Sequence, residues 1–111
     1  VVVSMRPLKQ AEVKKAYQLT EPLELVHGAP LHIGSPAEIG INAIDAPDFG
    51  EAVRISSDET PVFWSSAATV QAVLRFAKLP LAITEVPGFP LVSDLRNDAL
   101  PKLFKKEKAR V

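Results

Sequence analysis

Pro61-Val62-Phe63-Trp64-Ser65-Ser66-Ala67-Ala68-Thr69-Val70-Gln71-Ala72-Val73-Leu74-Arg75-Phe76-Ala77-Lys78-Leu79-Pro80-Leu81-Ala82-Ile83-Thr84-Glu85-Val86 carries three local signals in succession. Val62, Phe63 and Trp64 are β-branched or aromatic and favour a strand. Ser65 and Ser66 follow as helix caps, and Val70, Val73, Leu74 and Ala77 recur at helical spacing, so a helix runs to about Lys78. Pro80 breaks it, and Leu81 to Val86 is a second strand-forming run. The order predicts a βαβ unit over residues 61–86, which requires parallel pairing and a right-handed crossover. The expected fold class is α/β in the α+β sense, a mixed sheet with flanking helices.

Downstream, Pro87-Gly88-Phe89-Pro90 is a rigid turn leading to Leu91-Val92-Ser93-Asp94-Leu95, read as a last strand, with a short helix from Asp98. Residues 99–111 end in Lys102, Lys105, Lys106, Lys108 and Arg110 against Glu107; a solvated basic tail explains so few charges better than a nucleic-acid or membrane role. Upstream, Val1 to Met5 is a buried strand closed by Pro7. Leu8 to Thr20 puts Val13, Ala16 and Tyr17 on one face of an amphipathic helix ended by Glu21-Pro22. Leu31 to Ile33 is a short strand, and Ser35-Pro36 starts a brief helical turn that Gly40 stops. Ala46 to Gly50 is a loop, Ala52 to Ile55 a strand and Ser56 to Thr60 a polar turn.

The chain has 111 residues, 47% hydrophobic and 23% charged, with zero net charge. This fits one globular domain, and no overall field draws it to nucleic acid or anionic lipid. Cysteine is absent, which excludes disulfides, thiolate metal ligands and a Cys nucleophile. No apolar run approaches the roughly eighteen residues of a membrane span. The start at Val1, without Met and directly in a strand-like run, points to a piece of something longer.

Both histidines fall in His27-Gly28-Ala29-Pro30-Leu31-His32-Ile33-Gly34. Two readings stand: a shaped polar loop with imidazoles ready for proton work, and a plain turn with His27 and His32 at the surface or satisfied in the core. Pro30 excludes a helical zinc-protease pair, so a shared metal would need loop geometry. The glycines do not recur at P-loop or dinucleotide-fingerprint spacing. Trp64 and Ala67 stand where a nucleophile elbow at Ser65 or Ser66 would need glycines.

The helix start after Trp64 offers unbonded amides to an anion, with Ser65, Ser66 and Thr69 alongside. In an open α/β sheet, Trp64, Glu85 and Pro87-Gly88 would share the carboxyl end of the strands. Arg6, held beside Pro7, reaches that edge as a carboxylate clamp or forms a structural salt bridge. Glu85 is either an exposed strand-tip residue or a proton-exchanging group. Asp94 and Arg96 pair with each other or cap the final helix.

In order and spacing, several motifs resemble the later part of the hydro-lyase family that includes D-glutamate cyclase. They are Val2-Val3-Ser4-Met5-Arg6-Pro7, the histidine loop, Ile39-Gly40-Ile41, Pro47-Asp48-Phe49-Gly50, Pro61-Val62-Phe63-Trp64, Ala82-Ile83-Thr84 with Pro87-Gly88, and Leu91-Val92-Ser93-Asp94-Leu95-Arg96. The resemblance covers residues 1 to 98. It implies a larger domain of a three-layer and a smaller two-layer part, with residues 6–60 in the smaller and 61–98 in the larger, and an N-terminal portion absent from this chain. Two departures stand out. Glu85-Val86-Pro87-Gly88-Phe89-Pro90 replaces the family's frequent His-Ala-Pro-Gly-His-Met, and Phe63-Trp64-Ser65-Ser66-Ala67 replaces Phe-Trp-Ala-Cys-Gly.

The activity so implied is cyclisation of D-glutamate to 5-oxo-D-proline with loss of water. In that reading His27 or Glu85 exchanges protons as the catalytic group. Arg6 binds a substrate carboxylate, amides at Ser65 and Ser66 hold the oxyanion, and His32, Trp64, Thr69, Gly88 and Asp94 are further substrate-binding candidates. No cofactor and no metal is called for. The partners implied are a small carboxylate or amino-acid substrate, the N-terminal portion and possible further copies, without nucleic acid or membrane, in cytoplasm or mitochondrial matrix. The alternative is a non-catalytic carboxylate-binding or assembly module, or an inactive fragment of the enzyme.

Overall fold

Pro7 and Pro61 settle how the first and third strands lie together. The computed structural model describes residues 2–102. In it, β1 (Ser4–Lys9) pairs antiparallel with β3 (Glu59–Trp64), and Pro7 stands opposite Pro61. Neither proline has an N–H, so they can face each other only across a rung that asks for no hydrogen bond from either. β2 (His32–Ile33) joins the other edge of β3, giving the order β1-β3-β2. The Leu31 and Gly34 amides donate to the Phe63 and Pro61 carbonyls at 2.8 and 3.0 Å. β3 is thus central. Its neighbours Val62 and Phe63 point to opposite faces, and both are fully buried.

α1 (Gln10–Thr20) follows β1 directly and packs on β1 and β3. Its start is tied down by the Gln10 amide on Asp58 O, 3.3 Å, and the Thr60 hydroxyl on Gln10 Oε1, 2.6 Å. A 3-10 turn spans Pro36–Ile39 and ends at Gly40, whose φ of 78° is the left-handed cap that the sequence calls for. Ser35 supplies no side-chain cap to it. α2 (Ala67–Ala77) begins where the Ser66 amide donates to Thr69 Oγ1 at 2.9 Å, and it ends at Lys78, φ 49°.

Sheet and helices establish the expected α/β class, but the βαβ unit does not form. β3 has β1 on one edge and β2 on the other, so no edge is left for a parallel neighbour. Residues 81–85 have no regular secondary structure and join no ladder, and beyond them an isolated bridge between Val86 and Phe89 closes the Pro87-Gly88 turn. The expected strands at Ala52–Ile55 and Leu91–Leu95 are likewise unpaired. β1 does not close at Pro7; it lies at the sheet edge, where proline is tolerated, and runs on to Lys9. The boundary expected between residues 60 and 61 falls inside β3. Val1 and the tail from residue 103 lie outside the described residues.

The turn after α1 depends on Gly28. Its amide donates to Leu23 O at 3.0 Å, it is buried, and its φ is 64°; an added Cβ would lie 3.4 Å from Glu24 Cα. Gly28→Ala is expected to destabilise the chain by about 1–2 kcal/mol in urea unfolding, the usual cost of a left-handed L-residue.

Candidate functional site

A cleft of about 440 Å³ opens beside β1. One wall is residues 2–6, the other is the loop between Ile41 and Val53, and Phe63, Ser66 and Ala68 complete it. The left-handed residues Gly40 and Gly50, φ 78° and 76°, turn the chain at either end of that loop. Most of the lining is apolar, with Ile41, Ile44, Phe49 and Val53 prominent. The charged lining residues are Arg6 on one wall and Asp48 and Glu51 on the other. Arg6 is exposed, and among the described residues it makes no salt bridge, so the structural ion pair considered for it is not formed. A cleft lined by apolar residues with a few charged ones among them is a usual form of a small-molecule site.

Of the sequence-based candidates, Arg6 and Ser66 line this cleft, whereas His27, His32, Trp64, Ser65, Thr69, Glu85, Gly88 and Asp94 do not. The expected convergence assumed parallel strands whose carboxyl ends lie together. In the antiparallel pair, Trp64 at the end of β3 sits opposite Ser4 at the start of β1. The Thr69 hydroxyl is already committed, donating to Val2 O and accepting from the Ser66 amide. Glu85 is exposed and braces its own turn, accepting from the Leu91 amide at 2.8 Å. Gly88, φ 86°, makes the turn in which the Phe89 amide donates to Val86 O at 2.9 Å. Arg96 approaches Asp98 at 3.6 Å, so the pairing considered with Asp94 is not made. Trp64 Nε1 is buried and has no hydrogen-bond partner among the described residues, an unspent donor next to Ser65.

The two histidines separate cleanly. His27 is exposed with φ 111°, and its carbonyl accepts from Ser65 Oγ at 3.3 Å. His32 shares a sheet face with Phe63, the ring centroids 5.8 Å apart. Its Nε2–H donates to Ser35 O at 2.8 Å, and Glu38 Oε2 lies 3.4 Å away. His32 therefore fastens the 3-10 turn to the sheet. His32→Ala is expected to cost about 1 kcal/mol in chemical unfolding, while His27→Ala stays within about 0.5 kcal/mol of the parent. Among the described residues no group of three or more His, Asp or Glu is placed to hold a metal, and no helix is long and apolar enough to cross a membrane.

The sequence profile of the family described as D-glutamate cyclase matches residues 1–94. The chain belongs to the D-glutamate cyclase family. Its relatives include proteins named "Putative hydro-lyase" from a Bradyrhizobium species, 52% identical over 103 residues, and from Verminephrobacter eiseniae, 54% identical over 101 residues. A third, from Methylobacterium radiotolerans, is 52% identical over 103 residues. The matches take in 93%, 91% and 93% of this chain but only 38%, 37% and 38% of the relatives, so this cyclase-family chain corresponds to a C-terminal portion of such a protein. Asp48 and Glu51 are charged cleft residues that no sequence motif marks as site residues. Asp48 lies in the loop motif Pro47-Asp48-Phe49-Gly50 and Glu51 directly follows it.

Proposed function

We propose that this chain supplies the substrate cleft of a hydro-lyase that converts D-glutamate to 5-oxo-D-proline and water. The observation that carries this reading is a cleft pairing one cationic residue, Arg6, with two acidic ones, Asp48 and Glu51, in a chain of the cyclase family. Arg6 binds the substrate's α-carboxylate, and Asp48 or Glu51 holds the ammonium group and takes a proton from it. This role, expected from sequence at His27 or Glu85, passes to the acids because they share the cleft with Arg6. The amine nitrogen then attacks the side-chain carboxyl carbon, the C–N bond forms, and the C–OH bond breaks. The nitrogen gives up a second proton to the other cleft acid, and the hydroxyl departs as water with the proton held by the first, so the amide nitrogen keeps one hydrogen and one proton passes on to solvent.

With one lining cation among the described residues for two substrate carboxylates, the cleft favours the side-chain carboxyl in its uncharged form, which is the better electrophile. Holding the substrate curled contributes several kcal/mol, on the order of 7 at best, and proton exchange adds about a hundredfold. The second reading, a carboxylate-binding module without turnover, is favoured by the chain's span of only 38% of the Bradyrhizobium relative. A chimera in which this chain replaces the matched segment of that relative decides between them. Chromatographic appearance of 5-oxoproline from D-glutamate supports the cyclase. Saturable D-glutamate binding without product supports the module, and neither result sinks both.

A further inference from the structure

α2 and the chain after it leave an apolar surface uncovered. Phe76 is 91% exposed on α2, Ile83 is 90% and Leu81 77% exposed in the segment after it, and Leu91 and Val92 are exposed beyond the Pro87-Gly88 turn. The segment does not stand away from the helix: the left-handed Lys78 turns the chain, and Gln71 Nε2 on α2 donates to Glu85 O at 3.1 Å. Residues 81–84 make no hydrogen bond among the described residues, and Leu81 and Ile83 alternate with Ala82 and Thr84 in strand fashion. Backbone without hydrogen-bond partners among the described residues thus follows α2, whose Phe76 is exposed. The chain as a whole exposes 9231 Å², against about 6,000 Å² for a compact monomer of 12.0 kDa. The relatives are built from a chain of which about three-fifths lies outside the match.

We propose that residues 81–84 and the exposed face of α2 are the seat of that remaining three-fifths of the hydro-lyase domain, which supplies a strand to pair with residues 81–84. Exposed apolar side chains beside unpaired backbone are the form taken by a surface that is completed by strand addition. The unrealised strand is thereby explained: residues 81–86 have strand composition because their partner strand lies in the other portion. This inference rests on family membership and not on the cyclisation reaction, so loss of turnover does not bear on it.

The test co-expresses tagged chain with the unmatched portion of the Bradyrhizobium relative and reads association by sedimentation velocity without substrate. A 1:1 complex is expected, with amide exchange at residues 81–84 slowed at least tenfold. Phe76→Glu and Ile83→Glu, at side chains about nine-tenths exposed, are expected to weaken assembly at least a hundredfold. Assembly indifferent to both substitutions overturns the proposal, as does a homodimer of this chain formed through the same face. Should the unmatched portion fail to fold, exchange in the intact relative decides. Protection at the positions aligned with 81–84 supports the seat, and exchange as fast as in this chain contradicts it.

Discussion

Phe63→Ala is expected to leave the chain unfolded at 25 °C. Phe63 lies in the central strand, is fully buried, stacks against His32 and lines the cleft beside Met5. Truncating a buried Phe costs about 3–5 kcal/mol through lost burial and the cavity left behind. Val62 and Phe63 are the fully buried hydrophobic side chains of the described residues, so little else remains to offset that loss. Far-UV circular dichroism and amide dispersion in NMR would read the collapse. A variant that keeps native dispersion would show that the core has been located wrongly.

Arg6→Met is expected to weaken D-glutamate binding by about a hundredfold, or nearly 3 kcal/mol, in the chimera with the Bradyrhizobium relative. Among the described residues Arg6 is the one cationic residue of the cleft, and it has no competing ion pair. The Met side chain keeps the apolar stem and removes the charge. Arg6→Lys is expected to recover part of the affinity, because an ammonium keeps the charge but loses the two-pronged geometry. Arg6 is exposed on an edge strand, so neither substitution should shift the urea midpoint measurably. Equal affinity of parent and Arg6→Met for D-glutamate would remove Arg6 from the site.

Local signals were legible in the sequence wherever a residue's own chemistry determines the backbone. Ser35-Pro36 to Gly40 gave its turn, Ser66 opened α2, and Pro87-Gly88 gave its tight turn. What failed was pairing. Residues 61–86 contain the composition of two strands around a helix, but composition does not say that both edges of β3 are already taken. The candidate site suffered from the same gap, since Trp64, Glu85 and Gly88 were grouped with Arg6 by a parallel topology that an antiparallel sheet does not provide. Asp48 and Glu51 were hidden for a different reason. A loop with no periodic pattern gives no hint of which wall it forms, and only the folded chain brings it against β1.

The cleft between β1 and the 41–53 loop is the centre of this account. The direct test is a titration of D-glutamate into the isotopically labelled chimera, followed by amide chemical shifts. Progressive, saturable shifts at Arg6, Asp48 and Glu51, with His27 and Glu85 unmoved, are the predicted result. Shifts that gather at His27 and Glu85 while the cleft stays silent would contradict it.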